Sequence, residues 1–138
     1  MKIAVSACLI GENCKYNGGN NYNEKLMDYL KGHQVIPVCP EVLGGLPIPR
    51  EPAEIVNGVV SHCDGGSVDK EFRSGAQKAL EIILAEKAEL VILQSRSPSC
   101  GVNSVYDGTF SGKLVKGDGV FASLLKCNGI KVMDVEEL

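Results

Sequence analysis

Three of the six cysteines in this 138-residue chain stand where an apolar run gives way to turn-forming residues. Cys8 lies in SACLIG, directly after Lys2-Ile3-Ala4-Val5. Cys39 lies in VIPVCPE, and Cys100 closes LVILQSRSPSC. If the three runs are neighbouring parallel strands, all of them finish at one sheet edge, where α/β proteins bind their ligands. Thiols about thirty and sixty residues apart in sequence would then face one crevice. Three thiolates form a soft donor set suited to zinc, copper(I) or an iron–sulfur cluster. A set of three also leaves one coordination position open, as a catalytic centre requires. Taken singly, each cysteine serves equally well as a small apolar filler at a strand end. No paired CxxC is present, so the pattern is neither a zinc ribbon nor a thioredoxin motif.

The neighbours of these thiols carry their own chemistry. Glu41 follows Cys39 by two residues; it is a candidate general acid or base, or else a carboxylate favoured at a helix start. Before Cys100, Ser95, Ser97 and Ser99 offer hydroxyls and Arg96 a cation, and the amides of 99–101 form a candidate anion nest. Arg50 and Glu51, between two prolines, form a candidate pair that pins the loop or orients a ligand. Cys14, six residues after Cys8, is a candidate fourth ligand or a resolving thiol for Cys8. GTFSGKLVKGDG has the wrong glycine spacing for a phosphate loop, and Leu114 stands where Ser or Thr belongs. Lys113 or Lys116 remains a candidate to close over a ligand. Cys127 reads as core, His33 as an exposed helix end, and His62-Cys63 as too few ligands for a metal.

The elements that must position these groups follow from pattern. Strands are expected at 2–6, 35–38, 89–94 and 130–132, with a hairpin around Asn57-Gly58 and a small one at Asp107-Gly108. Helices are expected after Asn23, with Leu26, Tyr29 and Leu30 inward; over 69–87, capped by Asp69; and after Asp118, ending at Asn128-Gly129. The long helix places Phe72, Ala76, Ala79, Leu80, Ile83 and Leu84 on one face. The order predicts one α/β domain over 1–138, with a mostly parallel sheet and helices on both faces.

Composition narrows the function. A net charge of -3 disfavours a broad nucleic-acid footprint without excluding a local one. No apolar stretch approaches a membrane span, and no basic-then-apolar leader opens the chain. The cytoplasm is therefore expected, and in a reducing compartment six cysteines point to metal or thiol chemistry rather than disulfides. The oligomeric state is not legible.

Four ordered motifs cover nearly the whole chain: SACLIGENCKYNGG, VCPEVLGGLPIPREPAEI, RSPSCG and GTFSGKLVKGDGVFASLL. Together they resemble a bacterial domain family whose characterised members are thiouracil desulfidases. The resemblance implies a Rossmann-like fold carrying a 4Fe-4S cluster on Cys8, Cys39 and Cys100, the trio that strand-end placement also selects. It implies Glu41 as acid/base and Ser97 as catalytic serine, with no requirement for cysteine at position 14. The implied activity is non-redox exchange of C=S for C=O on a small thiolated base. Two other functions fit the residues: a zinc- or cluster-binding sensor without turnover, and a thiol oxidoreductase using Cys8 and Cys14.

Overall fold

A computed structural model describes residues 1–138. Four parallel strands form the central sheet: β1 (Lys2–Ser6), β2 (Gln34–Val38), β5 (Leu90–Leu93) and β8 (Val132–Asp134), in the order β2-β1-β5-β8. β1 and β5 occupy the middle and are apolar on both sides, as doubly covered strands must be. Ile3, Val5, Leu90 and Ile92 meet Leu26 and Leu30 of α1 (Glu24–Leu30) on one face. Ala4, Val91 and Leu93 meet α3 (Asp69–Glu86) and α4 (Val120–Cys127) on the other. The mixed α/β architecture with helices on both faces is the one the residue pattern predicts. The chain leaves β1 for β2 on one side and returns to β5 on the other, so the strand order reverses at β1. That is where a crevice opens beyond the carboxyl ends.

Two antiparallel hairpins stand beside the sheet. β3 (Ala53–Val56) pairs with β4 (Val59–His62), and β6 (Ser104–Tyr106) pairs with β7 (Leu114–Lys116). The first turns at Asn57-Gly58, with φ of 50° and 80°, as a two-residue primed turn demands. The second has a longer tip, 107–113, than the two-residue turn at Asp107-Gly108.

Several local expectations are corrected. Asn23 does cap α1, accepting from Leu26 N at 2.9 Å. Asp69 does not cap α3: Val68 holds that position, and the Asp69 carboxylate takes Val60 N and Arg73 Nε instead. Asp118 likewise yields the cap of α4 to Gly119 and accepts from Asn103 N and Lys126 Nζ. Both carboxylates serve long-range contacts that local propensity does not reveal. Tyr29, Leu84 and Cys127 point to solvent, because each lies just off the stripe its helix buries. His33 is half-buried and stacks on Tyr29 with ring centroids 6.1 Å apart. The last strand begins two residues later than expected, at Val132.

A short helix, α2 (Pro40–Leu43), starts immediately after Cys39 and lies against α3. Glycine makes this approach possible. A Cβ at Gly75 of α3 would overlap the carbonyl of Pro40, and one at Gly44 would overlap that of Glu71. Gly75→Ala is therefore expected to push α2 away, carrying Cys39 and Glu41 with it. A lowered melting temperature checks this.

Candidate functional site

Strand ends gather the candidate residues. Cys8 sits in the single 3-10 turn Ala7–Ile10 that follows β1, closed by Gly11 at φ 100°. Cys39 follows β2 directly, with extended backbone, and its carbonyl begins α2. Cys100 lies in the connection after β5. Because β2, β1 and β5 are adjacent, all three thiols reach one cavity of about 560 Å³. That volume falls within the ~300–1,000 Å³ usual for small-molecule sites. Cys14, Glu41, Arg50, Ser95, Arg96 and Ser97 also line it.

The sulfurs differ in environment. Asn21 Nδ2 donates to Cys8 Sγ at 3.5 Å, and Ser99 Oγ lies 3.4 Å from Cys100 Sγ. Hydrogen bonding from Cys14, aided by Asn21, outweighs burial and lowers the Cys8 thiol to about 7. A hydrogen bond from Cys14 also lowers Cys39, with help from Val42 N and the charge of Arg50. Cys14 is the converse case. Its bonds to Cys39 and Cys8 hold its proton in place and raise it. Burial pushes Cys100 up to about 12.

Arg50 organises the opposite wall. Its side chain is only 5% exposed. Nε donates to Glu41 Oε1 at 3.3 Å, Nη2 to the Cys14 carbonyl at 2.9 Å and Nη1 to the Pro47 carbonyl at 3.2 Å. Arg50 therefore pairs with Glu41 and not with its neighbour Glu51. The fork of guanidinium donors ties the loop carrying Cys14 to the helix carrying Glu41. Burial raises the Glu41 carboxyl, and Arg50 offsets part of that rise. Sequence order hides this pair, because eight residues, two of them prolines, separate its members.

The three serines separate cleanly. Ser95 Oγ donates to Asp134 Oδ1 at 2.6 Å. Ser99 is fully buried. Ser97 faces the cavity, and its Oγ accepts from Cys100 N at 2.7 Å and Ser99 N at 3.2 Å. Its oxygen is engaged while its hydroxyl hydrogen remains free to donate. The expected anion nest at 99–101 is absent, because Ser97 itself takes the amides of Ser99, Cys100 and, through its carbonyl, Gly101. Neither Lys113 nor Lys116 lines the cavity.

Three thiols spread around one mouth suit a polynuclear cluster. No group of three or more His, Cys, Asp or Glu is drawn around a single point as one zinc ion requires. An iron–sulfur cluster needs thiolate ligands, and the cavity offers them from three separate strand ends. The donor set therefore fits such a group.

No helix is long and apolar enough to cross a membrane. Known proteins resemble this chain over almost its whole length. The family model described as 2-thiouracil desulfurase matches residues 3–137. An uncharacterized protein of Bacillus subtilis strain 168, YbbK, is 40% identical over 99% of this chain and 97% of its own. A 4Fe-4S-dependent thiouracil desulfidase, TudS, superposes with a TM-score of 0.92 at 39% identity, covering 99% of this chain and 92% of that one. With a full-length family match and a relative this similar, the chain belongs to the 2-thiouracil desulfurase family.

Proposed function

We propose that this protein removes sulfur from 2-thiouracil or a closely related small thiolated base, replacing C=S by C=O without net electron transfer. The observation that carries the reading is the convergence of Cys8, Cys39 and Cys100 on one cavity that also contains Glu41 and Ser97. Cys8, Cys39 and Cys100 would hold a 4Fe-4S cluster, as the similarity to TudS suggests. When bound, the cluster supplies a Lewis-acidic iron with an open position for a soft thiocarbonyl sulfur.

The chain's own residues do the rest. Glu41 takes a proton from the attacking water, which adds to the ring carbon. Its Arg50 partner fixes which way the carboxylate faces. Ser97, with its oxygen held by two amides, donates its hydroxyl hydrogen to a polar atom of the base. Sulfur leaves at the oxidation level it had in the substrate. Thiocarbonyl and water become carbonyl and hydrogen sulfide, so atoms and electrons balance without an oxidant. The two hairpins wall the cavity, with Ala53 and Glu54 from one and Tyr106 and Phe110 from the other.

Anaerobic reconstitution followed by incubation with 2-thiouracil tests the reading. Uracil and sulfide should appear in equal amounts with no reductant added. Absence of both products from cluster-loaded protein would overturn it.

Two substitutions probe the supporting residues. Arg50→Met leaves a buried carboxylate and two carbonyls without their donor. It is expected to destabilise the fold by about 3 kcal/mol, measured by denaturant unfolding. Arg50→Lys restores the charge without the fork, so it should recover stability better than turnover. Ser97→Ala removes a donor and an acceptor together; turnover should fall about a hundredfold with the cluster spectrum retained. Ser97→Thr, which keeps the hydroxyl, should recover most of it.

A further inference from the structure

The chain has only seven aromatic residues. Phe72 and Phe121 are core, while Tyr22 and Tyr29 are on the surface. The other three, Tyr16, Tyr106 and Phe110, all line the thiol cavity. Phe110 sits at the tip of the β6–β7 hairpin with φ of 58°, a left-handed conformation that bulky residues seldom adopt. Something must hold it there. Glu54 of β3 does so: its Oε1 accepts from Gly108 N at 3.0 Å and from Phe110 N at 3.2 Å. Gly108, at φ 92°, rests so close on β3 that a Cβ would lie 2.6 Å from the Ile55 carbonyl. At its root, the hairpin is fixed by a bridge between Val105 and Arg96. Both ends of the hairpin are thus tied, and the tip carries an aromatic ring at the cavity wall.

We propose that Phe110 is the stacking wall for the planar ring of the substrate, and that Glu54 is the positioning residue that latches it in place. This rests on the thiolated-base reading and adds how the ring is recognised. A flat heterocycle carries its hydrogen-bonding groups around its edge and offers only a π-face above and below, so an aromatic side chain at the cavity wall gives orientation that edge contacts alone would not. The strained backbone at 110 then has a use. Relaxed to φ below zero, residue 110 would turn its ring and the chain beyond it to a different course.

The test is equilibrium dialysis of uracil, and of 2-thiouracil in the slow Glu41→Gln background where it persists, against anaerobically reconstituted protein, with sulfide release by protein that retains Glu41 measured in parallel. Phe110→Ala should weaken binding of both bases about tenfold and raise KM alike. Its kcat should fall too, because the ring is held less firmly for attack, while visible cluster absorbance stays unchanged. Phe110→Tyr should bind like the wild type. Glu54→Ala should weaken binding in the same direction, and Glu54→Gln, which keeps the acceptor without the charge, should fall between. Binding by Phe110→Ala within about twofold of wild type would overturn the proposal. If the wild type binds 2-thiouracil without releasing sulfide, and Phe110→Ala loses that binding, the stacking wall stands and desulfuration fails. If the wild type binds neither base, the stacking wall fails as well.

Discussion

Cys8→Ser, Cys39→Ser and Cys100→Ser are each expected to leave the reconstituted protein almost free of cluster and without detectable sulfide release. Each thiol comes from a different strand end, so no neighbour can replace it without moving backbone. Cys14 is the one spare sulfur close by. It is 8% exposed and its hydrogen-bond partners are Cys8 and Cys39, with no contact to Cys100 among them. Cys14→Ser therefore makes a sharp contrast: it should retain cluster and turnover, since three ligands remain. Iron and acid-labile sulfide analysis, with the visible spectrum, checks all four variants. Normal cluster content in any of the first three would remove that residue from the ligand set. A thiol oxidoreductase built on Cys8 and Cys14 makes the opposite forecast, namely activity that tolerates loss of Cys39 or Cys100 and fails without Cys14.

The second large effect belongs to Glu41. Glu41→Gln keeps size and one acceptor for Arg50 but removes the base. Turnover should fall about 10²- to 10⁴-fold, the usual range for a positioned proton-transfer group. Cluster content should not change, because the side chain is not among the ligands. Gln still accepts from Arg50 but leaves the guanidinium without its counter-charge, so the melting temperature should fall as well, by less than in Arg50→Met; retained cluster content separates the chemical loss from a collapsed site. Burial raises the carboxyl above the usual glutamate range, and the guanidinium of Arg50 offsets part of that rise. Full turnover by Glu41→Gln would take Glu41 out of the reaction.

How much of this was legible in the sequence depends on range. Cys8, Cys39 and Cys100 could be read because each follows an apolar run, and parallel strands must end together. The N-cap at Asn23, the Asn57-Gly58 turn and the stop at Asn128-Gly129 are local chemistry, and residue types reveal them. What stayed hidden acts across distance. The partner of Arg50 is set by how α2 folds back, whereas Glu51 is the carboxylate adjacent in sequence. Helix α2 has four residues, too short for any periodicity, and it exists because Pro40 opens it and the glycine contact with α3 leaves room. The amides of 99–101 resemble an anion nest in sequence. In the fold Ser97 consumes them, a contact set by how the loop closes on itself. The role of Glu54 could not be read at all, because its partners at 108 and 110 lie more than fifty residues away.

The central claim is that three distant thiols gather on one inorganic centre, and metal analysis addresses it most directly. Protein purified and reconstituted without air, then passed through a desalting column, should carry about four irons and four acid-labile sulfides per chain. It should be brown. A colourless protein that retains one tightly bound zinc and takes up no iron would contradict the account.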